Sequence, residues 1–175
     1  MAATFTVEDG TGVSGANSYL TIADADQYHL DIGTAAASWD NLSDAVKQQA
    51  LRDGTRYLDA AYGERWKGAR ADGTNPLDWP RSYVIDTDGF DVESNVIPQG
   101  LKDACAEAAF RATTETLTPD VTTPGTVQTL AEQIGPIKRT KVYHGGQGEY
   151  KRFTVIERLL HDLVEPEGGR LLERA

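Results

Sequence analysis

The sequence predicts a mainly α protein, a small helical bundle with a C-terminal β-hairpin-like segment and a terminal helix. Its first 117 residues contain three segments whose apolar side chains repeat every three or four residues, as in amphipathic helices. Residues 118–126 are rich in Pro and Thr and lack an apolar period, which is typical of a linker. The predicted organisation is a helical body over 1–117 with a long ordered loop at 63–97, a linker over 118–126, and an extended β segment with a C-terminal helix for assembly over 127–175.

The first helix is predicted to begin after Thr21, because Thr21 followed by Asp24 forms a capping box. Its apolar positions share one face until Gly33, a residue type that commonly ends helices. A short alanine-rich connection is expected to lead from there to Trp39. Ser43 is then a favourable N-cap for the second helix.

The second helix is predicted to pack against the core over its whole length. Gly54 interrupts it at a cost of about 1 kcal/mol relative to Ala. We therefore expect another backbone, or a bulky ring such as that of Trp39 or Trp79, to pack closely at this point. The apolar stripe of the helix comprises Val46, Ala50, Leu51, Tyr57, Leu58, Ala61 and Tyr62.

The loop at 63–97 is dense in Gly, Asp and Pro, and a residue before proline avoids the helical region. We expect Trp66 and Trp79 to hold this loop in place. Pro98 suits the first position of a third helix, whose many alanines predict close helix packing. The apolar face of that helix comprises Leu101, Ala104, Cys105, Ala108 and Ala112.

The C-terminal part is predicted to contain two strands and a helix. Residues 127–134 and 137–144 are short and β-compatible, and Gly135-Pro136 separates them with a turn. A last helix is predicted to end before Pro166. Its apolar face comprises Val155, Ile156, Leu159, Leu160, Leu163 and Val164.

The composition of the chain is acidic. Its 175 residues include 27 Asp and Glu against 17 Lys and Arg, which gives a formal net charge of -10. Residues 1–46 carry seven of the acids and no Lys or Arg. Because much of the affinity for DNA comes from cations that neutralise phosphates, this composition disfavours general nucleic-acid binding. One local basic cluster comprises Lys138, Arg139, Lys141, Lys151 and Arg152, with Glu149 as its single acid.

No residue pattern predicts catalysis or metal binding. The only cysteine, Cys105, excludes an intramolecular disulfide, points to a reducing compartment and lies on an apolar helix face, where a thiol is structural. His29, His144 and His161 are scattered without the spacing of a zinc site. Apolar runs fall far short of the roughly 20 residues of a membrane-spanning helix. We expect no enzymatic activity, no metal, no cofactor, no transmembrane helix and no signal peptide.

Two short motifs admit a functional interpretation. Residues 10–15, Gly-Thr-Gly-Val-Ser-Gly, match the glycine fingerprint of dinucleotide-binding folds. That fold needs a crossover helix that returns to a parallel strand, whereas another helix is predicted next, so we favour a flexible turn over a nucleotide-dependent enzyme. Residues 86–93 place four carboxylates in eight positions, the kind of cluster that calcium prefers, but Asp88-Gly89 favours a tight turn instead.

A series of short segments, in a fixed order, carries a resemblance to a known family. The segments are 15–21 (Gly-Ala-Asn-Ser-Tyr-Leu-Thr), 55–59 (Thr-Arg-Tyr-Leu-Asp), 65–68 (Arg-Trp-Lys-Gly), 77–81 (Leu-Asp-Trp-Pro-Arg), 88–90 (Asp-Gly-Phe), 97–98 (Ile-Pro), 135–137 (Gly-Pro-Ile) and 155–163. Together they resemble the head-tail connector adaptors of tailed bacteriophages, including phage sequences labelled DnaT-like single-stranded-DNA-binding proteins. The resemblance extends over most of the chain.

The resemblance implies a structural virion protein without enzymatic activity, assembled in the cytoplasm of the bacterial host. It implies a homo-oligomeric ring, typically of twelve copies, in the neck of the virion below the portal. Such a ring binds the portal protein on one side and a tail or stopper protein on the other. DNA passes through its channel without sequence-specific binding, and no membrane takes part.

We expect the basic strand and the terminal helix, residues 137–164, to dock on the portal or on neighbouring subunits. The expected docking residues are Lys138, Arg139, Lys141, Lys151, Arg152, Phe153, Ile156 and Leu160. The expected structural anchors are Trp39, Trp66 and Trp79.

The alternative hypothesis is a replication accessory protein that binds single-stranded DNA, as the family label suggests. Such proteins combine a basic groove with aromatic side chains on which bases stack. Here Tyr143, Tyr150 and Phe153 interleave with the basic residues 141, 151 and 152, which favours this alternative. The negative net charge argues against it.

Overall fold

The computed structural model describes residues 4–32, 36–118, 129–134, 137–142 and 152–166. Its backbone contacts divide the chain into two units. The first, called the body below, comprises Met1–Leu117 and Arg152–Ala175. The second, called the hairpin unit, comprises Thr118–Lys151.

Helices dominate the described residues, and the strands form small two-stranded antiparallel sheets, in agreement with the predicted mainly α class. The helices are α1 (Ile22–Ile32), α2 (Ala36–Asp40), α3 (Asp44–Tyr62), α4 (Gln99–Ala112) and α5 (Thr154–Leu159). The strands are β1 (Ala69–Arg70), β2 (Arg81–Ser82), β3 (Val84–Ile85), β4 (Asp91–Val92), β5 (Thr129–Ile134) and β6 (Ile137–Val142), and they pair as β1–β2, β3–β4 and β5–β6. None of the helices in these ranges is both long enough and apolar enough to cross a membrane.

The core of the body is centred on the contact between α3 and α4. A Cβ atom on Gly54 of α3 would lie 2.8 Å from the amide nitrogen of Ala109 and 3.1 Å from the carbonyl oxygen of Cys105, both on α4. Since real Cβ atoms do not come that close, the two backbones approach as they do only because residue 54 lacks a side chain. The prediction of a close backbone at Gly54 is confirmed, and α4 fills this role rather than the ring of Trp39 or Trp79.

Helix α1 begins as predicted. The backbone amide of Asp24 donates to Thr21 Oγ1 over 3.1 Å, and the Thr21 hydroxyl donates to Asp24 Oδ2 over 2.8 Å. The alanine-rich connection expected after α1 is instead the short helix α2. This helix buries Trp39, whose indole N–H donates to Asp26 Oδ1 over 2.6 Å.

The start of α3 differs from the predicted stripe at one position. Val46 is 45% exposed, whereas Lys47 beside it is buried. The reason is an ion pair, because the Lys47 ammonium lies 2.8 Å from Asp26 Oδ1 and 5.7 Å from the centre of the Trp39 ring. The predicted N-cap, Ser43, makes no side-chain cap and accepts through its backbone oxygen.

The long loop at 63–97 is ordered and contains β1 to β4. Trp66 and Trp79 are both buried within it, with their rings edge to face at a centroid distance of 5.8 Å. The Trp79–Pro80 peptide bond is cis. The Arg81 guanidinium donates to the carbonyl oxygens of residues 67 and 68, over 2.8 and 2.9 Å. These bonds connect β2 to the two residues that precede β1.

The last two helices of the body differ slightly from their predicted bounds. Pro98 precedes α4 as its N-cap residue rather than opening the helix. Helix α5 ends at Leu159, and the chain continues in turns, so the predicted long terminal helix is wrong in length. Four of its six predicted core residues are buried, namely Ile156, Leu160, Leu163 and Val164. Val155 is instead 46% exposed.

In the hairpin unit, β5 and β6 form the predicted antiparallel pair, with narrower bounds than the predicted runs 127–134 and 137–144. The register sets residue 130 opposite 141 and residue 132 opposite 139. The Gly135-Pro136 turn and residues 119–126 of the predicted linker lie outside the described residues. The predicted boundaries at 118 and 127 remain predictions.

Candidate functional site

The basic cluster predicted from the sequence falls largely on β6. Lys138 pairs in register with Gln133, Arg139 with Glu132, and Lys141 with Leu130. Strand β6 therefore carries three cationic residues within four positions. Lys151, Tyr143, Tyr150 and His144 lie outside the described residues, so the predicted interleaving of cations and aromatic rings remains a prediction.

Charge is divided unequally between the two units. The hairpin unit contains four Lys and Arg against three Asp and Glu, a formal net charge of +1. The body contains 13 Lys and Arg against 24 Asp and Glu, a net charge of -11. A polyanion would therefore be attracted more readily to the hairpin unit than to most of the body surface.

A second cluster of cations lies in the body itself. It forms a groove of about 440 Å³ between the segment that follows α3 and the segment that contains α5. We call it the cationic groove. Its lining residues are Arg65, Lys67, Thr87, Arg152, Glu157, His161, Val164 and Pro166.

Backbone pairing positions the cations of this groove. The amide of Lys67 donates to the carbonyl of Leu163 over 3.0 Å, and the amide of Glu165 donates to the carbonyl of Arg65 over 2.7 Å. Between the two cations, Trp66 is buried in the core. The antiparallel bridge between Trp66 and Val164 fixes these two pairings, and both residues that flank Trp66 line the groove.

Carbonyl oxygens hold both cationic head groups. Arg65 Nε and Nη2 each lie 3.2 Å from the Glu165 carbonyl oxygen. Lys67 Nζ lies 2.9 Å from the carbonyl oxygen of Asp162 and 3.1 Å from that of Ile85. These contacts orient the head groups but, unlike a carboxylate, do not cancel their charge.

Arg65 and Lys67 are not among the site residues predicted from the sequence. The available signal was the position of two cations on either side of Trp66, a large apolar residue expected to be buried. That signal gives no information about residues 161–166, which lie about 95 positions later and complete the groove.

Two aromatic side chains are exposed on the β3–β4 hairpin and just before it. Tyr83 is 88% exposed and Phe90 is 71% exposed. Tyr83 has a φ of 60°, a left-handed conformation that a bulky residue rarely adopts. This conformation allows Val84 to be fully buried while its neighbour points to solvent. An exposed ring on a strained backbone is a feature found at binding sites.

The carboxylate-rich segment 86–93 forms a turn, as its sequence favours. Asp86 Oδ1 accepts from the amides of Asp88 and Phe90, over 3.0 and 2.8 Å. Gly89 has a φ of 91°, which suits a glycine. Within the described part of the chain, no three His, Cys, Asp or Glu side chains are grouped so that they could hold a metal ion.

The glycine-rich segment 10–15 is occupied by a side chain of the protein itself. Glu8 is buried, and its Oε1 accepts from the amides of Gly10 and Gly12 over 2.9 and 2.8 Å. Its Oε2 accepts from the amide of Val13 over 2.8 Å. These N–H groups are the kind that would cradle a phosphate in a dinucleotide site. Since Glu8 uses them, the turn interpretation is favoured.

One carboxyl in the body has a strongly shifted pKa. The Tyr19 hydroxyl donates to Asp59 Oδ1 over 2.5 Å, and the Asp78 amide lies 3.4 Å from Asp59 Oδ2. Burial raises the pKa of Asp59 to about 7, although the Tyr19 hydrogen bond acts in the opposite direction; the charge of Asp78 adds to the increase. The cluster connects α3 to the long loop.

The remaining reactive side chains are dispersed. Cys105 is buried beside Thr55, and burial raises the pKa of its thiol to about 11. His29 is buried with its ring centre 4.7 Å from that of Trp39, and burial lowers the pKa of this histidine. His161 is exposed at the cationic groove.

The expected docking residues of the body differ in burial. Arg152 is exposed, and the ring of Phe153 is partly buried, 5.8 Å from that of Tyr57. Ile156 and Leu160 are fully buried and pack in the core of the body. The docking role expected of these residues stays a prediction. The expected anchors Trp39, Trp66 and Trp79 are all buried.

The chain matches a protein-family model over nearly its whole length. A family model described as "Putative DnaT-like ssDNA binding protein" matches residues 3–175 and so extends over both the body and the hairpin unit. No curated protein matches the chain. No solved structure matches it either.

Proposed function

The chain belongs to the DnaT-like ssDNA-binding protein family, and from this premise we propose that it is an accessory protein that binds single-stranded DNA. One observation supports this function more than any other, namely the division of charge between the two units. The hairpin unit has a net charge of +1 although the whole chain has a net charge of -10. Family membership and the local cluster of cations both favour DNA binding, whereas the net charge of the whole chain disfavours it.

The proposed contact is electrostatic. Each phosphate of single-stranded DNA that a cation neutralises releases condensed counterions, and the logarithm of affinity falls by about 0.7 per contact for each tenfold rise in salt. The hairpin unit offers Lys138, Arg139, Lys141 and Lys151. If all four contact phosphates, the expected slope is about -3. The acidic body repels the same phosphates, so binding should be modest at physiological salt.

Fluorescence anisotropy with a labelled oligothymidylate, measured on the full chain at several salt concentrations, tests this proposal. The double variant Arg139→Gln/Lys141→Gln should reduce the slope by about 1.4. The matched control, Arg56→Gln/Lys102→Gln, removes one Arg and one Lys from the body and should keep the slope of the wild type. Absence of binding at low salt, or equal slopes for the two double variants, would contradict a DNA-binding hairpin unit.

The second candidate is the structural virion protein, a head-tail adaptor that forms a ring between the portal and the tail. The net charge of -11 on the body favours it, because a wall that DNA must slide past should repel phosphates rather than hold them. An adaptor should ignore oligonucleotides at every salt concentration. Electron microscopy of virions should then find the chain directly below the portal, and its absence from virions would reject this candidate.

A further inference from the structure

We propose that the cationic groove of the body is a second binding site for the phosphate backbone of single-stranded DNA. We propose also that Tyr83 provides a surface near this groove on which a base stacks. This inference rests on the proposed DNA-binding function and adds a site to it. The site is separate in sequence from the basic strand β6, because its cations come from residues 65–67 and 152.

The groove has the properties that a phosphate requires. Arg65 and Lys67 bring two charges to it, and carbonyl oxygens fix both head groups without cancelling those charges. Arg152 adds a third cation at the groove, 3.9 Å from Glu157. A volume of about 440 Å³ is within the range of pockets that bind small molecules, so the groove can admit part of a nucleotide chain.

Tyr83 adds an aromatic face on which a base can stack, an interaction that the cations of the groove cannot make. Proteins that bind single strands without sequence preference combine a cationic groove with aromatic faces on which bases stack. A Cβ on Gly68, the residue after Lys67, would lie 3.1 Å from the backbone carbonyl carbon of Tyr83, so the backbone of Tyr83 lies beside the segment that carries Lys67. Lys67 also contacts the carbonyl of Ile85, two residues beyond Tyr83.

Carboxylates near the groove reduce its attraction for phosphate. Glu157 lines the groove and offsets part of the Arg152 charge. Asp86 is engaged by two backbone amides, and Asp162 accepts from the Thr87 hydroxyl and lies 3.2 Å from His161 Nε2. Their charges still lower the local potential. We therefore expect the groove to contribute mainly at low salt, where long-range attraction is least screened.

Three single variants of the full chain test the inference with labelled oligothymidylate. Lys67→Gln and Arg152→Gln should each reduce the salt slope by about 0.7. Tyr83→Asn should weaken binding by about fivefold or more with no change in slope, because stacking involves no counterion release. Asn is chosen because it tolerates the left-handed conformation at this position better than other side chains do.

Two controls accompany these variants. Arg56→Gln makes the same charge change on α3, where the Arg56 side chain is 75% exposed, outside the residues that line the groove. An abasic oligonucleotide of equal length retains the phosphates but has no bases, so Tyr83→Asn should have no effect on its binding. Thermal melting of each variant checks that Lys67→Gln, which removes two contacts to carbonyl oxygens, leaves the body folded.

The outcomes separate the two proposals. Reduced slopes for Lys67→Gln and Arg152→Gln, with an unchanged slope for Arg56→Gln, support the groove. If the wild type binds but all three charge variants behave alike, the groove is overturned and the hairpin unit remains the binding element. If folded Arg152→Gln loses slope while Tyr83→Asn binds normally, the stacking role is overturned. A wild type that binds no oligonucleotide overturns the proposed function itself.

Discussion

Replacing Asp59 by Asn should stabilise the protein at neutral pH. The Asp59 carboxyl lies between α3 and the long loop, where it accepts from the Tyr19 hydroxyl and faces the amide of Asp78. Burial raises its pKa from an ordinary value of 3.8 to about 7. Asn retains an oxygen that can accept from Tyr19, so the substitution removes the charge and keeps this hydrogen bond. The longer contact from the Asp78 amide is lost, but that amide also donates to the Tyr19 hydroxyl oxygen over 3.1 Å.

The size of the effect follows from linkage between protonation and folding. A pKa that is higher in the folded chain than in the unfolded chain means that the folded state binds the proton more tightly. The corresponding stability is complete below pH 4 and is lost as the pH rises through 7. One pKa unit corresponds to about 1.4 kcal/mol, so the loss amounts to at most about 4 kcal/mol. Asp59 is partly exposed, and water reduces this value.

Urea unfolding of the wild type and of Asp59→Asn at pH 4, 6 and 8 measures this effect. The difference in the free energy of unfolding, variant minus wild type, should grow with pH toward that limit. Taking the difference cancels the contribution of His29, whose lowered pKa gives an opposite dependence on pH. Asp53→Asn on the same helix controls for the loss of one negative charge. Parallel curves for wild type and Asp59→Asn would refute the reasoning.

Three further predictions concern packing and reactivity. Gly54→Ala should destabilise the chain by about 1 to 2 kcal/mol in a thermal melt, because overpacking against α4 outweighs the gain in helix propensity; Gly73→Ala, which meets no atom within 4 Å, should not. Glu8→Gln should cost about 1 to 3 kcal/mol of unfolding free energy, since its amide cannot accept from all three N–H groups, whereas exposed Asp9→Asn should cost less. Cys105 should react with a thiol reagent at pH 8 only after urea is added, and fast labelling of the folded chain would contradict its burial and its raised pKa.

The main helices were predictable because their periodicity and capping signals are local. The Thr21 capping box marks the start of α1, and the stripe of α3 identifies its buried side with the exception of Val46. That exception depends on the contact between Lys47 and Asp26, which are 21 positions apart. A pattern of apolar residues cannot reveal that a lysine will be buried by a distant carboxylate.

The long loop was predictable only as an ordered segment. Its four strands are two residues long, too short for the alternation that identifies a strand. The structure depends instead on individual contacts, such as the Arg81 guanidinium on the carbonyls of residues 67 and 68. The cationic groove was hidden for the same reason, since it forms only when residues 161–166 pair with the chain around Trp66.

An external anion is expected at the cationic groove but not at the glycine-rich segment, and the contacts within the two sites explain the difference. Residues 10–15 present amide donors, but the carboxylate of Glu8 accepts from three of them, so binding an external phosphate there would first require expulsion of a buried carboxylate. A Glu two positions before the first glycine was a signal of this in the sequence. At the groove the relation is reversed: carbonyl oxygens hold Arg65 and Lys67 in place and leave their positive charge available. Amide donors that already bind a buried carboxylate of the protein stabilise the fold. Cations that are held only by neutral carbonyl oxygens remain able to attract an external anion.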